Sequence, residues 1–125
     1  MTSGQDRLKL ALSASGEAGS KSLICFVTAG DPSLEGLPAI LDALTAGGAT
    51  VIEVGLPYSD PIADGPTIQS SSQRALDRGV TLGGILNVLE QGKERGWAPI
   101  VLMGYWNNVL AGGADAMAQK FAAAG

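Results

Sequence analysis

Residues 50–56 read TVIEVGL, and two similar runs stand on either side of it: SLICFVTA at 22–29 and PIVLMGY at 99–105. Each run is short, rich in large apolar residues and close to glycine or proline, which is typical of a strand buried on both faces. The segments between them carry apolar residues at helical spacing. Alternating strands and helices predict a parallel sheet with right-handed crossovers.

The helices are predicted from caps and apolar periodicity. A helix is predicted after the first strand, with Asp31 as its N-cap, Pro32 in its first turn and the glycines at 47–48 at its end. Pro38 would delay the start of this helix or kink it. Leu8 and Leu12 suggest a short helix that could close the floor of a barrel. Three further helices are expected, with Thr81 capping the second, at residues 66–77, 82–89 and 114–124.

Two architectures fit this order, a doubly wound open sheet and a β/α barrel. The turn after the first strand reads AGDP at 29–32 and lacks the G-x-G-x-x-G of a dinucleotide-binding domain. Three parallel strands leave an unpaired edge, and a filled barrel needs about eight strands. We therefore expect residues 1–125 to be the N-terminal part of a single (β/α)₈ TIM-barrel domain whose C-terminal half is absent, with about three β/α units.

The composition narrows the function classes. The chain has 125 residues, 46% of them hydrophobic and 16% charged, which is typical of a globular protein. A net charge of −4 argues against nucleic-acid binding. No run reaches the roughly 18 apolar residues of a membrane span, and the start lacks a signal-peptide layout. The lone Cys25 is expected to be a small buried hydrophobe in a reducing compartment, so a cytoplasmic protein is predicted.

Glu53 lies inside an otherwise apolar strand, where an unpaired buried charge is costly. Strand alternation puts it on the face opposite Ile52 and Val54, so in a barrel it would point inward near the end of the strand at which β/α barrels place their active sites. The alternative is a structural ion pair. Lys21 and Arg74 offer no obvious partner, because one is at the opposite end of its strand and the other belongs to a helix.

The loop at residues 57–66, PYSDPIADGP, follows this strand. Its three prolines stiffen the chain and make it a suitable platform for a positioned side chain. Asp60 and Asp64 are its acids. Either could simply cap a turn or helix, and the spacing alone leaves the role of Asp64 open.

The run from Ile52 to Gln69, IEVGLPYSDPIADGPTIQ, resembles the α subunit of tryptophan synthase, as do FVTAGDP at 26–32 and LMGYWN at 102–107. The resemblance extends over residues 8–125, about half of a family member. It implies a lyase that cleaves indole-3-glycerol phosphate to indole and glyceraldehyde 3-phosphate by a retro-aldol step in tryptophan biosynthesis.

The resemblance also implies residue roles. Glu53 matches the catalytic glutamate, and a carboxyl group in an apolar barrel mouth can act as general acid. Asp64 matches the second catalytic acid, which would bind the indole N–H. Phe26 and Tyr105 match substrate-binding positions. Three residues of the loop match the stretch that contacts the β subunit in the family, namely Pro57, Asp60 and Pro61.

The partner implied is the tryptophan synthase β subunit, in an α₂β₂ tetramer. The α reaction uses no cofactor, since pyridoxal phosphate belongs to the β subunit, and we assign no metal site. The family's phosphate-binding glycine loops are missing from the chain, so it is expected to be inactive by itself. Two alternatives remain: a half barrel that only binds the β subunit, and a different phosphate-handling barrel lyase or isomerase.

Overall fold

A computed structural model of the chain describes residues 3–125 and contains a three-stranded parallel sheet in the order β1-β2-β3. The helices alternate with the strands along the chain. The elements are α1 Gly4–Glu17, β1 Ile24–Thr28, α2 Leu37–Ala46, β2 Val51–Gly55, α3 Gly65–Asp77, α4 Leu82–Gln91, a 3₁₀ turn Lys93–Arg95, β3 Ile100–Met103, α5 Trp106–Gly112 and α6 Ala114–Ala124.

One face of the sheet packs against helices. Ile52 and Val54 of β2 are fully buried together with Leu37 and Leu41 of α2, and Ile85 of α4 belongs to the same core. Ile52 and Val54 alternate with Glu53 along β2, as predicted. Cys25 packs against this core as an apolar side chain would, but it is half-buried and not fully buried as predicted.

The predicted N-cap of α2 at Asp31 is wrong, whereas the delayed start that Pro38 indicated is observed. Asp31 and Pro32 precede the helix, which begins at Leu37 with Gly36 at the N-cap. Pro38 lies in the first turn, where its missing N–H costs no helical hydrogen bond. Asp31 instead forms a two-bond ion pair with Arg74 of α3, with nitrogen–oxygen distances of 3.0 and 2.7 Å.

Of the other helices, α1, α3, α4 and α6 lie where the sequence predicts a helix, whereas α5 was not predicted. Thr81 caps α4 by accepting a hydrogen bond from the amide of Gly84 at 3.1 Å. Arg7 of α1 donates to the carbonyl of Trp97, just before β3, at 2.8 Å. The helix α1 therefore contacts the amino-terminal side of the sheet, where a barrel has its floor. Among residues 3–125, no helix is long and apolar enough to cross a membrane.

A polar cluster joins α2 to the segment before β3. The carboxylate of Asp42 accepts hydrogen bonds from the Arg95 guanidinium and, at 2.7 Å, from the indole N–H of Trp97. The Arg95 guanidinium also lies 5.7 Å from the centre of the Trp97 ring. These hydrogen bonds, first from Arg95 and then from Trp97, hold the pKa of Asp42 below its usual value.

This cluster predicts a loss of stability in acid. The pKa of Asp42 is lower in the folded state than in the unfolded state. Its contribution to the free energy of unfolding is therefore complete above the unfolded-state pKa of about 3.9 and is lost as the pH falls through the folded-state pKa. Asp42→Asn should therefore reduce the fall in the urea midpoint between pH 5 and about pH 3. Glu35→Gln, in an exposed turn, is the control. An unchanged slope in Asp42→Asn would show that the cluster does not contribute.

Candidate active site

The candidate site lies at the carboxyl ends of the three strands. Thr28, Gly55 and Met103 end β1, β2 and β3 and are in register with one another. The amide of Ala29 donates to Gly55, and the amide of Leu56 donates to Met103. The loops that follow the strands therefore start at one edge of the sheet, where β/α proteins assemble their binding sites.

Glu53 is half-buried on the face of the sheet opposite the helix-packed core. Its register partners are Phe26 on β1 and Val101 on β3, so its side chain emerges between two apolar neighbours. Within residues 3–125 no ion pair or side-chain hydrogen bond to Glu53 is found. Arg74, one of the two cations considered as its partner, is bound to Asp31. The carboxyl group is thus available to a ligand on this face.

Phe26 lies next to Glu53 and its ring covers the last residue of β2. A Cβ atom placed on Gly55 would approach the ring of Phe26 to 2.5 Å, closer than carbon atoms normally come. Gly55 therefore leaves room for the aromatic ring beside Glu53. This arrangement supplies an apolar wall at the carboxyl edge.

Asp64 occupies the N-cap position of α3, but its side chain makes no capping hydrogen bond. The simple capping role considered from the sequence therefore lacks its defining contact. The Asp64 amide donates to the carbonyl of Pro61 at 3.1 Å, and Gln69 of α3 donates to the same oxygen at 3.1 Å. The backbone around Asp64 is fixed while its carboxylate is left without a partner in the described chain.

The remaining loop residues lie where a partner could reach them. Asp60 is exposed, Pro57 and Pro61 are half-buried, and Ile62 at the tip of the loop is 79% exposed. A large apolar side chain this exposed is unusual but does not by itself identify a partner.

Tyr105 follows β3 and reaches across to the same loop. Its hydroxyl accepts a hydrogen bond from the amide of Ala63 at 3.0 Å. Its ring stacks on that of Tyr58, with the ring centres 4.8 Å apart. The sequence prediction did not include Tyr58. The pair could have been predicted from the sequence, because each tyrosine closely follows the end of one of two neighbouring strands.

The structure thus brings the predicted residues together in two groups. Glu53 and Phe26 are adjacent across β1 and β2, and Tyr105 is joined to the loop that carries Asp60 and Asp64. A separate cavity of about 310 Å³ is lined by Ile100, Leu102 and residues of α4 and α6. It lies on the helix-packed side of β3 and is not part of this site.

Three parallel strands in sequential order, with helices between them and side chains gathered at their carboxyl ends, define a protein of the β/α class. The profile of the tryptophan synthase alpha chain family matches residues 12–125, and the chain belongs to this family. The tryptophan synthase alpha chain of Xanthomonas campestris is 44% identical over 126 aligned positions, covering 100% of this chain and 46% of the relative. The chain thus spans about half the length of the curated relatives it matches.

Solved structures of tryptophan synthase are similar to this chain. The tryptophan synthase subunit alpha of Legionella pneumophila matches with a TM-score of 0.91 at 37% identity, covering 95% of this chain and 46% of that one. The tryptophan synthase α₂β₂ complex of Pyrococcus furiosus matches with a TM-score of 0.78 at 40% identity, covering 83% and 44%. The strand order β1-β2-β3 also occurs in doubly wound sheets, so these likenesses confirm that the fold is part of a TIM barrel.

Proposed function

We propose that the chain contributes the acid–base half of a lyase site, in which indole-3-glycerol phosphate is cleaved to indole and glyceraldehyde 3-phosphate. The observation that carries the proposal is a carboxyl group, Glu53, on the free face of β2 with apolar neighbours and no ion-pair partner among residues 3–125. Membership of the tryptophan synthase alpha chain family supports this reaction.

The proposed roles follow from where the groups lie. Glu53 delivers a proton to C3 of the indole ring, which places positive charge on the ring, and then takes the proton from the glycerol hydroxyl. As that proton leaves, the carbonyl of glyceraldehyde 3-phosphate forms, the bond between C3 and the glycerol carbon breaks, and its electrons return to the ring. Asp64 accepts a hydrogen bond from the indole N–H and stabilises the positive charge that develops on the ring. Its uncapped carboxylate at the start of α3 supports this role.

Phe26 and Tyr105 would form the walls for the indole ring. Phe26 is adjacent to Glu53 on the same face, so it can pack against the ring that receives the proton. The hydroxyl of Tyr105 accepts from Ala63 and its ring stacks on Tyr58, so the rest of the ring would be the surface offered to the substrate. No cofactor is needed for this proton transfer, and pyridoxal phosphate is assigned to the β subunit.

The wider assignment is also part of the proposal. Residues 1–125 would be the N-terminal part of one barrel domain in a cytoplasmic enzyme of tryptophan biosynthesis. Its partner would be a tryptophan synthase β subunit in an α₂β₂ tetramer, contacted through Pro57, Asp60 and Pro61. The exposure of the loop tip and the likeness to the Pyrococcus furiosus complex support this assignment.

A chimera tests the function. This chain would replace the stretch that it matches in the Xanthomonas campestris alpha chain, and indole released from indole-3-glycerol phosphate would be measured by chromatography. We expect kcat/KM within about tenfold of the unmodified relative, because the chimera has a complete barrel and the proposed acid–base pair. The chain alone should release no indole above the uncatalysed rate, since it lacks the phosphate-binding loops of the family.

The same chimera separates the alternatives. A folded chimera that binds a tryptophan synthase β subunit on a sizing column but releases no indole would favour the partner-binding module. Cleavage of another sugar phosphate, with none of the indole compound, would favour a different barrel lyase. Either result would contradict the proposed reaction.

A further inference from the structure

The side chain of Tyr105, which follows β3, contacts the loop that carries Asp64. The hydroxyl of Tyr105, two residues beyond the end of β3, accepts the amide hydrogen of Ala63 at 3.0 Å. Its ring stacks on Tyr58, five residues earlier in the same loop, at a centre-to-centre distance of 4.8 Å and an interplanar angle of 22°. Tyr105 thus contacts the loop at two points.

These contacts bear directly on Asp64, because Ala63 is the preceding residue. The Asp64 carboxylate has no capping hydrogen bond of its own, so its position depends on the path of the backbone that carries it. On the α3 side that path is fixed at the carbonyl of Pro61, through the Asp64 amide and Gln69. On the β3 side, the hydrogen bond from the Ala63 amide to the Tyr105 hydroxyl holds the peptide group that joins Ile62 and Ala63.

We propose that Tyr105 is a positioning residue that sets the location of the Asp64 carboxylate through the amide of Ala63. The proposal rests on the role proposed for Asp64 in the lyase reaction. A carboxylate must be placed to within a fraction of an ångström to stabilise the positive charge that develops on the substrate. The hydroxyl of Tyr105 does this without contacting the reacting atoms.

The test uses the chimera with Tyr105→Phe, which keeps the ring and its stacking but removes the acceptor for Ala63. We expect kcat to fall about three- to tenfold, in keeping with the loss of one hydrogen bond, while KM stays within about twofold. The matched control is Tyr58→Phe, which removes the other hydroxyl of the stacked pair. It should leave both constants within about twofold of the parent. A rise in KM with unchanged kcat would overturn the proposal, because it would mean that the hydroxyl binds substrate.

A double-mutant cycle with Asp64→Asn separates positioning from a general structural effect. If Tyr105 acts through Asp64, Tyr105→Phe should lower kcat by less than about twofold in the Asp64→Asn background. An undiminished, additive loss would overturn the proposal and leave the lyase function standing. If Asp64→Asn alone has no effect, the proposed role of Asp64 fails instead.

Hydrogen exchange of the parent chain provides a readout that does not depend on activity. Tyr105→Phe should accelerate exchange of the Ala63 amide by about threefold or more, whereas Tyr58→Phe should not. Equal exchange in Tyr105→Phe and the parent would show that the hydroxyl does not hold the loop. The measurement therefore decides whether the hydroxyl holds the loop, independently of any catalytic effect of Asp64.

Discussion

Glu53→Gln in the chimera is expected to lower kcat for indole release by about 10²- to 10⁴-fold, the contribution typical of a positioned general acid or base. The amide has nearly the shape of the carboxyl group but can neither deliver a proton to indole C3 nor remove one from the glycerol hydroxyl. The surrounding residues are unaffected in size and packing, so KM should stay within about threefold. Steady-state kinetics with indole detection would measure both constants.

The same substitution should not weaken the fold. Glu53 is half-buried between Phe26 and Val101 without an ion-pair partner in residues 3–125, so replacing it with an amide of nearly the same shape breaks no ion pair and leaves no cavity. The control is Glu90→Gln on the exposed side of α4, which should change neither kcat nor the unfolding midpoint. Indole release by Glu53→Gln within about tenfold of the parent would show that Glu53 is not the proton donor.

Much of the fold follows from local signals in the sequence. The runs around Cys25, Glu53 and Leu102 form the three strands, although each strand is shorter than its apolar run. A period of two along β2 correctly assigned Ile52 and Val54 to the helix side and Glu53 to the other. These predictions succeed because side chains alternate along a strand and one face of β2 packs against helices, so the charged side chain takes the other face.

Other features depend on contacts between distant segments and have no local signal. The short helix α5 at Trp106–Gly112 was not predicted, and its first residue is 62% exposed. Asp31 has the sequence context of an N-cap, yet it binds Arg74, 43 positions later. A cap and an ion pair use the same carboxylate, and the sequence alone does not show which partner is nearer.

In the candidate site, too, some features follow from local sequence signals and others depend on contacts between distant segments. The positions of Glu53 and Phe26 follow from strand register, whereas the link between Tyr105 and Ala63 spans 42 positions and appears only when β2 and β3 are paired. The loop sequence indicates that residues 57–66 are stiff, but not which side chain holds them. Long-range hydrogen bonds of this kind therefore need the three-dimensional structure.

Leu41→Ala should be the most destabilising of these substitutions, at about 2–5 kcal/mol in the free energy of unfolding. Leu41 is 0% exposed and joins α2 to Ile52 and Val54 in the core, so its removal leaves a cavity behind the strand that carries Glu53. A domain with a total stability of about 5–15 kcal/mol would lose a large part of it. Urea unfolding of the 125-residue chain, followed by circular dichroism, would measure the change.

Leu10→Ala makes the same chemical change on α1 at a side chain that is 65% exposed, so it isolates the effect of burial. It should alter the free energy of unfolding by less than about 0.5 kcal/mol, since it creates no cavity. Equal effects of the two variants would mean that α2 is not packed against the sheet as described. The distinction matters for the site, because the helix layer fixes Ile52 and Val54, and through them the direction in which Glu53 leaves the strand.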